Sequence, residues 1–221
     1  MSRRHWVWTG TTVVAAAMKE ELAGIERNSI THGICLPDSR GFAKLHVLGV
    51  GKVNAALSTC AARKFYNAST IILVGTSGAA DPTLEIGDVV IATDTLFHDV
   101  DVTALGFAPG QIPFMDTWRW ESNELLRKWA LEAAQKVGCQ AYLGRIVTGD
   151  RFVSDPREVA RIHEVFGASA IDMETAAVAQ VCAHSTWTPE RWISIRVISD
   201  RADKSAPVDF PTFLPEAAKT I

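Results

Sequence analysis

The stretch SAIDMETAAVAQVC, residues 169–182, joins two kinds of pattern. Up to Ile171 it is a short apolar run of the kind a buried strand presents. From Met173 to His184 the apolar residues recur three and four apart, as on one face of a helix. Asp172 and Glu174 stand at the handover between the two. Acidic side chains there cap the free N–H groups of a first turn and suit the positive end of the helix dipole. Helix chemistry alone accounts for them locally, so the rest of the chain must say whether it is the whole explanation.

The same handover recurs along the sequence. TVVAAAM (12–18), KLHVLGVG (44–51), TIILVG (70–75), GDVVIATD (87–94), GRIVTG (144–149) and WISIRVIS (192–199) are short runs rich in Val, Ile and Ala. Unbroken apolar runs of this length are what strands covered on both faces look like. Helical patterns lie between them at 52–66, 121–138, 156–166 and 173–184, with Pro156 placed for a first helical turn. The alternation predicts an α/β fold: one three-layer domain over 1–221, with a central mixed, mostly parallel twisted sheet flanked by helices. The loop from Asp99 to Trp118 is long and rich in Gly and Pro, and loops of that length in compact domains tend to be functional.

Composition narrows the partners. The 221 residues are 48% hydrophobic and 21% charged with a net charge of -3, values of an ordinary compact protein without the basic footprint of a nucleic-acid binder. A small-molecule partner is therefore favoured, and neither nucleic acid nor membrane is expected. The N-terminal Arg-Arg and its apolar follow-on raise a signal peptide, but TGTT interrupts the run and Lys19, Glu20 and Glu21 close it, which suits a first strand better. No run reaches the roughly 18 apolar residues of a membrane span. Cys35, Cys60, Cys139 and Cys182 are scattered without CxxC pairing and read as reduced core thiols of a cytoplasmic protein.

In open α/β sheets, ligands collect beyond the carboxyl ends of strands. Four polar clusters fall there: MKEE (18–21), GTSGAAD (75–81), DMET (172–175) and SDRAD (199–203). Singly each has a plain structural reading, as acidic first turns, a Gly-rich turn or an aspartate cap. GTSGAAD lacks the phosphate-loop and dinucleotide patterns. His98, Asp99 and Asp101 raise a metal, yet no further ligands stand at a recognised spacing, so neither metal nor cofactor is expected.

Together the pieces resemble one family. AAMKEEL, LGVGKVNAAL, TSGAADPTLEIGDVVIATDTLFHDVDVTALGFAPGQIP, VTGDRFVSD, IDMETAAVAQVC and IRVISDRAD are similar, in order and spacing, to the methylthioadenosine/S-adenosylhomocysteine nucleosidases of the purine nucleoside phosphorylase superfamily. The resemblance runs from about residue 12 to about 216. It implies hydrolysis of the bond between adenine and ribose, which needs a proton for the departing base, stabilisation of an oxocarbenium-like sugar and an activated water. By resemblance Asp200 is the general acid at the purine N7, oriented by Ser199. Glu174 receives the ribose hydroxyls, with Met173 under the sugar, leaving Asp172 as the structural cap. Glu21 activates the water, positioned with Arg196 and the Thr76, Ser77, Gly78 segment. Phe152 stacks on adenine, Val153 reads the base edge and Val50 lines the pocket. Leu105, Phe107 and Pro113 match positions that relatives contribute across a homodimer interface to the pocket for the 5′ substituent.

The chain departs from the family pattern at Thr76, Ala79, Asp81, Leu105 and Asp172. Those changes spare adenine and ribose recognition and fall hardest on the 5′ pocket, which leaves open futalosine-type, adenosylhopane-type or other 5′-modified substrates. Phosphorolysis is disfavoured because MKEELAG puts Glu21 where phosphate would sit. A non-catalytic nucleoside-binding protein is disfavoured by the joint presence of Glu21, Glu174, Arg196 and Asp200. A nucleotide-binding oxidoreductase is disfavoured by the missing Gly-x-Gly-x-x-Gly.

Overall fold

Strands carry the core in the computed structural model, which describes residues 11–23, 25, 34–35, 42–184, 191–203 and 206–220. They are β1 Thr11–Ala16, β2 Ile34–Cys35, β3 Phe42–Val47, β4 Ala68–Ala79, β5 Val89–Phe97, β6 Trp120–Glu121, β7 Ala141–Thr148, β8 Ala168–Asp172 and β9 Arg191–Asp200. The helices are α1 Lys52–Tyr66, α2 Glu124–Val137, α3 Pro156–Phe166, α4 Thr175–Ala183 and α5 Ala206–Thr220. One-turn 3₁₀ segments occur at Glu20–Leu22 and Thr103–Leu105.

The mixed α/β class stands, but the sheet is not an open twisted layer. β9 pairs parallel with β4 and antiparallel with β5, while β8 pairs antiparallel with β4 and parallel with β7. With β5 and β7 parallel to each other, the strands β4, β9, β5, β7 and β8 close into a ring. β1, β3 and β2 extend the sheet outward from β4. A closed ring removes the free edges that β8 and β9 would otherwise expose.

Local chemistry moves several expected boundaries. The Gly-rich GTSGAA segment is strand: Gly75 to Gly78 pair with Arg196 to Asp200, and Gly78 and Ala79 pair with Ile171 and Ala170. Two neighbouring strands thus supply the backbone partners that a turn would have had to find elsewhere. β3 ends at Val47, earlier than expected, and residues 48–51 lead into α1. α2 begins at Glu124 because Asn123 caps it, accepting from Leu126 N at 3.1 Å. Pro156 occupies the first turn of α3, as the sequence predicts, and Asp155 before it caps the helix, accepting from Arg157 N. α5, with Pro211 and Pro215 inside it, has no counterpart among the expected helices; packing against β9 and the Glu20–Leu22 segment holds it despite the lost N–H groups.

α4 is apolar nearly all round, with Ala176, Ala177, Val178, Ala179 and Cys182 buried, and it packs against α1. The core-thiol expectation holds for Cys182 alone among the described cysteine side chains. Cys60 is exposed on α1, off the stripe of Ala55, Thr59 and Ala62 that the helix buries, and Cys139, between α2 and β7, is partly buried against the core. The Cys35 side chain and the Arg-Arg segment lie outside the described residues. No helix among the described residues is long and apolar enough to cross a membrane.

Candidate active site

The four polar clusters meet at one cavity. After β1 the chain turns through Ala17 and Met18 into the Glu20–Leu22 segment, which exposes Glu20 and buries Glu21. Glu21 Oε1 accepts from Thr76 N at 2.8 Å and Thr76 Oγ1 at 3.0 Å, and Oε2 accepts from Met18 N at 3.0 Å. Gly75 makes the approach possible, since a Cβ there would stand 2.6 Å from Glu21 Oε1 and also collide with Arg196.

At the end of β8 the two acidic residues divide the work. Asp172 Oδ1 accepts from Thr148 Oγ1 at 2.6 Å and from the N–H groups of Glu174 and Thr175 at 3.3 and 3.2 Å. Asp172 is thus the cap, as expected. Glu174 is the residue before α4 but makes no capping bond with its side chain. Its Oε1 instead accepts from Gly51 N at 3.0 Å, and its Oε2 lies 3.4 Å from Arg196 Nη2.

Glu174 is 4% exposed, and burial pushes its pKa up to about 7, with Arg196 and the Gly51 N–H opposing and Asp172 and Glu21 adding to the rise. An ordinary unfolded value of 4.5 means the native state holds the extra proton between pH 4.5 and about 7. Stability therefore falls as pH rises through that window and levels off above it. At about 1.4 kcal/mol per pH unit the cost reaches about 3 kcal/mol. Glu174→Gln is accordingly expected to gain about 3 kcal/mol on the parent protein between pH 4.5 and pH 8. Urea titrations at the two pH values check this, and an equal difference at both would contradict it.

Asp200 ends β9 and is 2% exposed. Its Oδ1 accepts from Ala202 N at 2.8 Å and its Oδ2 from Ser199 Oγ at 2.9 Å. Burial raises its pKa above the ordinary carboxylate range, against those two bonds and with help from Asp209 and Asp203. A buried carboxyl that keeps its proton is a competent general acid.

Between these groups lies a cavity of about 210 Å³. Its wall includes Glu21, Glu174, Asp200, Ser199, Met173, Thr76, Ser77, Gly78, Val50, Phe152 and Val153, as the sequence predicts. Phe152 is half-exposed at the mouth and meets Phe210 edge-on, with ring centroids 6.0 Å apart. Four acidic residues, Glu21, Asp172, Glu174 and Asp200, the hydroxyls of Thr76, Ser77 and Ser199, and an aromatic pair set among apolar side chains suit a planar base joined to a polyhydroxyl ring.

The family model for the phosphorylase superfamily matches residues 17–221. The chain belongs to this superfamily. It is 37% identical over 209 residues to the 5′-methylthioadenosine/S-adenosylhomocysteine nucleosidase of Staphylococcus haemolyticus, covering 93% of this chain and 90% of that one. It is 41% identical over 173 residues to the enzyme of the same name from Geobacillus kaustophilus, covering 77% and 72%. Among solved structures, the Neisseria meningitidis nucleosidase in complex with methylthio-immucillin-A superimposes with a TM-score of 0.86 at 34% identity, covering 96% and 95%. The Helicobacter pylori futalosine hydrolase gives 0.85 at 28% identity, covering 96% and 93%.

Four expected site residues of this superfamily member stand off the cavity. Arg196 is not on its wall: the guanidinium is fully buried behind it, 2.6 Å from Asp172 Oδ2 and donating to the Thr76 carbonyl at 3.4 Å. The sequence places Arg196 on a strand but not on which side of the carboxylates. Burial disfavours its charge, yet Asp172, Glu174 and Glu21 more than offset that and hold its pKa above the ordinary value. Leu105 is 75% exposed, and Phe107 meets Phe114 edge-on within the long loop. These two and Pro113 are absent from the cavity wall formed by the single chain. Of the metal candidates, Asp99 is bonded to Lys52 and Asp101 to Thr103.

Sequence reasoning missed Phe210, Ala202, Ala17, Ile171 and Arg151 as wall residues. Ala202 lies within the expected SDRAD cluster and Arg151 adjoins Phe152, so position was a usable signal for both. Phe210 had none, because it comes from the helix that its own prolines conceal.

Proposed function

We propose that the protein hydrolyses the N-glycosidic bond of a 5′-modified adenine nucleoside of the methylthioadenosine/S-adenosylhomocysteine type, releasing adenine and the ribose moiety. The observation that carries this reading is the placement of three buried acidic groups, Glu21, Glu174 and Asp200, around one cavity that Met173 and Phe152 also line. Asp200 gives its proton to N7 as the C1′–N9 bond pair leaves with the base. Glu174 accepts from the ribose hydroxyls and, as a carboxylate, stabilises the cationic sugar. Glu21, aimed by Thr76 and Met18, takes the proton of the water that attacks C1′. Substrate hydroxyls donating to Glu174 favour its ionised form, so binding offsets the cost of ionising it.

Water is favoured over phosphate by the charges on the wall. Arg151 is the cation among the described lining residues, and both of its terminal nitrogens are bonded to Glu158 at 2.9 Å. A phosphate beside Glu21 would meet like charge without a free cation. The reading extends to a homodimer, supported by the exposed Leu105 and Phe114 of the long loop, and with it to a cytoplasmic place in methionine salvage.

Incubation with methylthioadenosine, S-adenosylhomocysteine, futalosine and inosine, with and without phosphate, tests the proposal. Adenine and free sugar are expected from the first two without phosphate. Turnover confined to phosphate-containing samples would remove the role given to Glu21, and turnover of futalosine alone would reassign the 5′ group. Light scattering is expected to give twice the chain mass.

A further inference from the structure

Gly51, whose N–H holds Glu174, is followed by a charged cluster that no cavity-lining role explains. Lys52 Nζ stands 2.7 Å from Asp99 Oδ2 and 3.5 Å from Asp150 Oδ2. Lys52 N donates to Asp150 Oδ1 at 2.9 Å, and Asp150 N donates to Asp99 Oδ2 at 3.0 Å. The ammonium also lies 5.3 Å from the centre of the Phe97 ring. None of the three charged residues lines the cavity.

Each bond in the cluster ties down a different segment. Lys52 opens α1, Asp99 opens the long loop, and Asp150 leads directly into Arg151, Phe152 and Val153 of the cavity wall. An isolated surface ion pair contributes little. This set differs, because two backbone N–H groups complete it and both Lys52 and Asp99 are about three-quarters buried. Gly51 is fitted to it as well: at φ 91° it adopts a conformation favouring glycine, and a Cβ there would press on Asp150 Oδ1 at 3.3 Å.

We propose that Lys52, Asp99 and Asp150 are positioning residues for Glu174 and Phe152: the cluster clamps the start of α1 so that Gly51 N–H meets Glu174 Oε1, and fixes the Phe152 segment beside it. The proposal rests on the ribose-binding role given to Glu174. The groups facing that carboxylate are Arg196, Asp172, Glu21 and the Gly51 N–H, and only the last depends on the clamp. A Gly51 N–H bond made to substrate-bound and transition states alike would act mainly on KM.

Lys52→Met is expected to raise KM about tenfold with kcat changed little, the size of one bond to a charged group. Lys52→Arg is expected to recover most of that loss. Because the Gly51 N–H holds the Glu174 titration down, Lys52→Met is also expected to move it to higher pH. Carbon-13 NMR of the glutamate carboxyls reads this in substrate-free protein, with Glu174 assigned by its absence in Glu174→Gln. An unchanged titration in folded Lys52→Met would overturn the proposal, as would an unchanged KM. Absence of turnover in the parent protein would instead sink the functional reading, while the titration still decides on the clamp. Should Lys52→Met fail to fold, Asp99→Ala removes the same contact and is read in the same way.

Discussion

Asp200→Asn is expected to lower kcat/KM for adenine release by a factor of about 10² to 10⁴, the usual share of a general acid. Asparagine keeps the shape and can still accept from Ala202 N, but it has no proton to give to N7. The fold should not suffer. Burial already disfavours the Asp200 charge, so a neutral amide relieves a cost, and the Ser199 hydroxyl can rotate to accept from the new NH₂. Thermal melting is therefore expected to stay cooperative at an equal or higher midpoint. The discriminating substrate is a riboside whose leaving group departs well as an anion, such as p-nitrophenyl riboside. It needs no proton, so the variant should hydrolyse it nearly as well as the parent protein. Adenine release at the parent rate would remove Asp200 from its role, and equal losses on both substrates would make the defect one of positioning.

The pH profile carries the same assignment. A charge on Glu174 is required, so kcat/KM is expected to rise with pH toward the Glu174 value near 7. The proton on Asp200 is required for adenine release alone, so any fall in rate as Asp200 ionises should be absent for the p-nitrophenyl substrate.

Local patterns in the sequence reveal more of this site than of the fold that builds it. The run ending at Ile171 and the handover at Asp172 are visible because burial on both faces and helical spacing leave periodic traces. Glu21, Asp200 and the 75–78 segment are visible because they follow such runs. Ring closure is not, since it depends on β9 meeting β4 and β5 at once, and no local pattern encodes a pairing between residues 75 and 196. The glycines that look like a turn are strand for the same reason. Close approach of Glu21 and Arg196 at Gly75 requires a residue without a side chain, and sequence alone does not distinguish that need from a turn's.

That missing side chain leads to the second large expectation, on stability. Arg196→Met is expected to destabilise the protein by about 3–5 kcal/mol at pH 8, a large part of the roughly 5–15 kcal/mol that holds a native domain. The guanidinium is the cation between Asp172, at 2.6 Å, and Glu174, at 3.4 Å. Removing it leaves two nearly buried carboxylates facing each other. Methionine fills much of the volume, so the loss is electrostatic more than steric. It should depend on pH in a definite direction. With Arg196 gone, Glu174 titrates still higher, so lowering the pH toward 5 protonates it and should recover part of the deficit. Glu174→Gln should do the same at pH 8, making the double variant less unstable than the two single effects predict by addition. Equal destabilisation at both pH values, with strict additivity, would mean that Arg196 holds β9 against β4 by packing alone and that the carboxylates around the cavity do not depend on it for their charge.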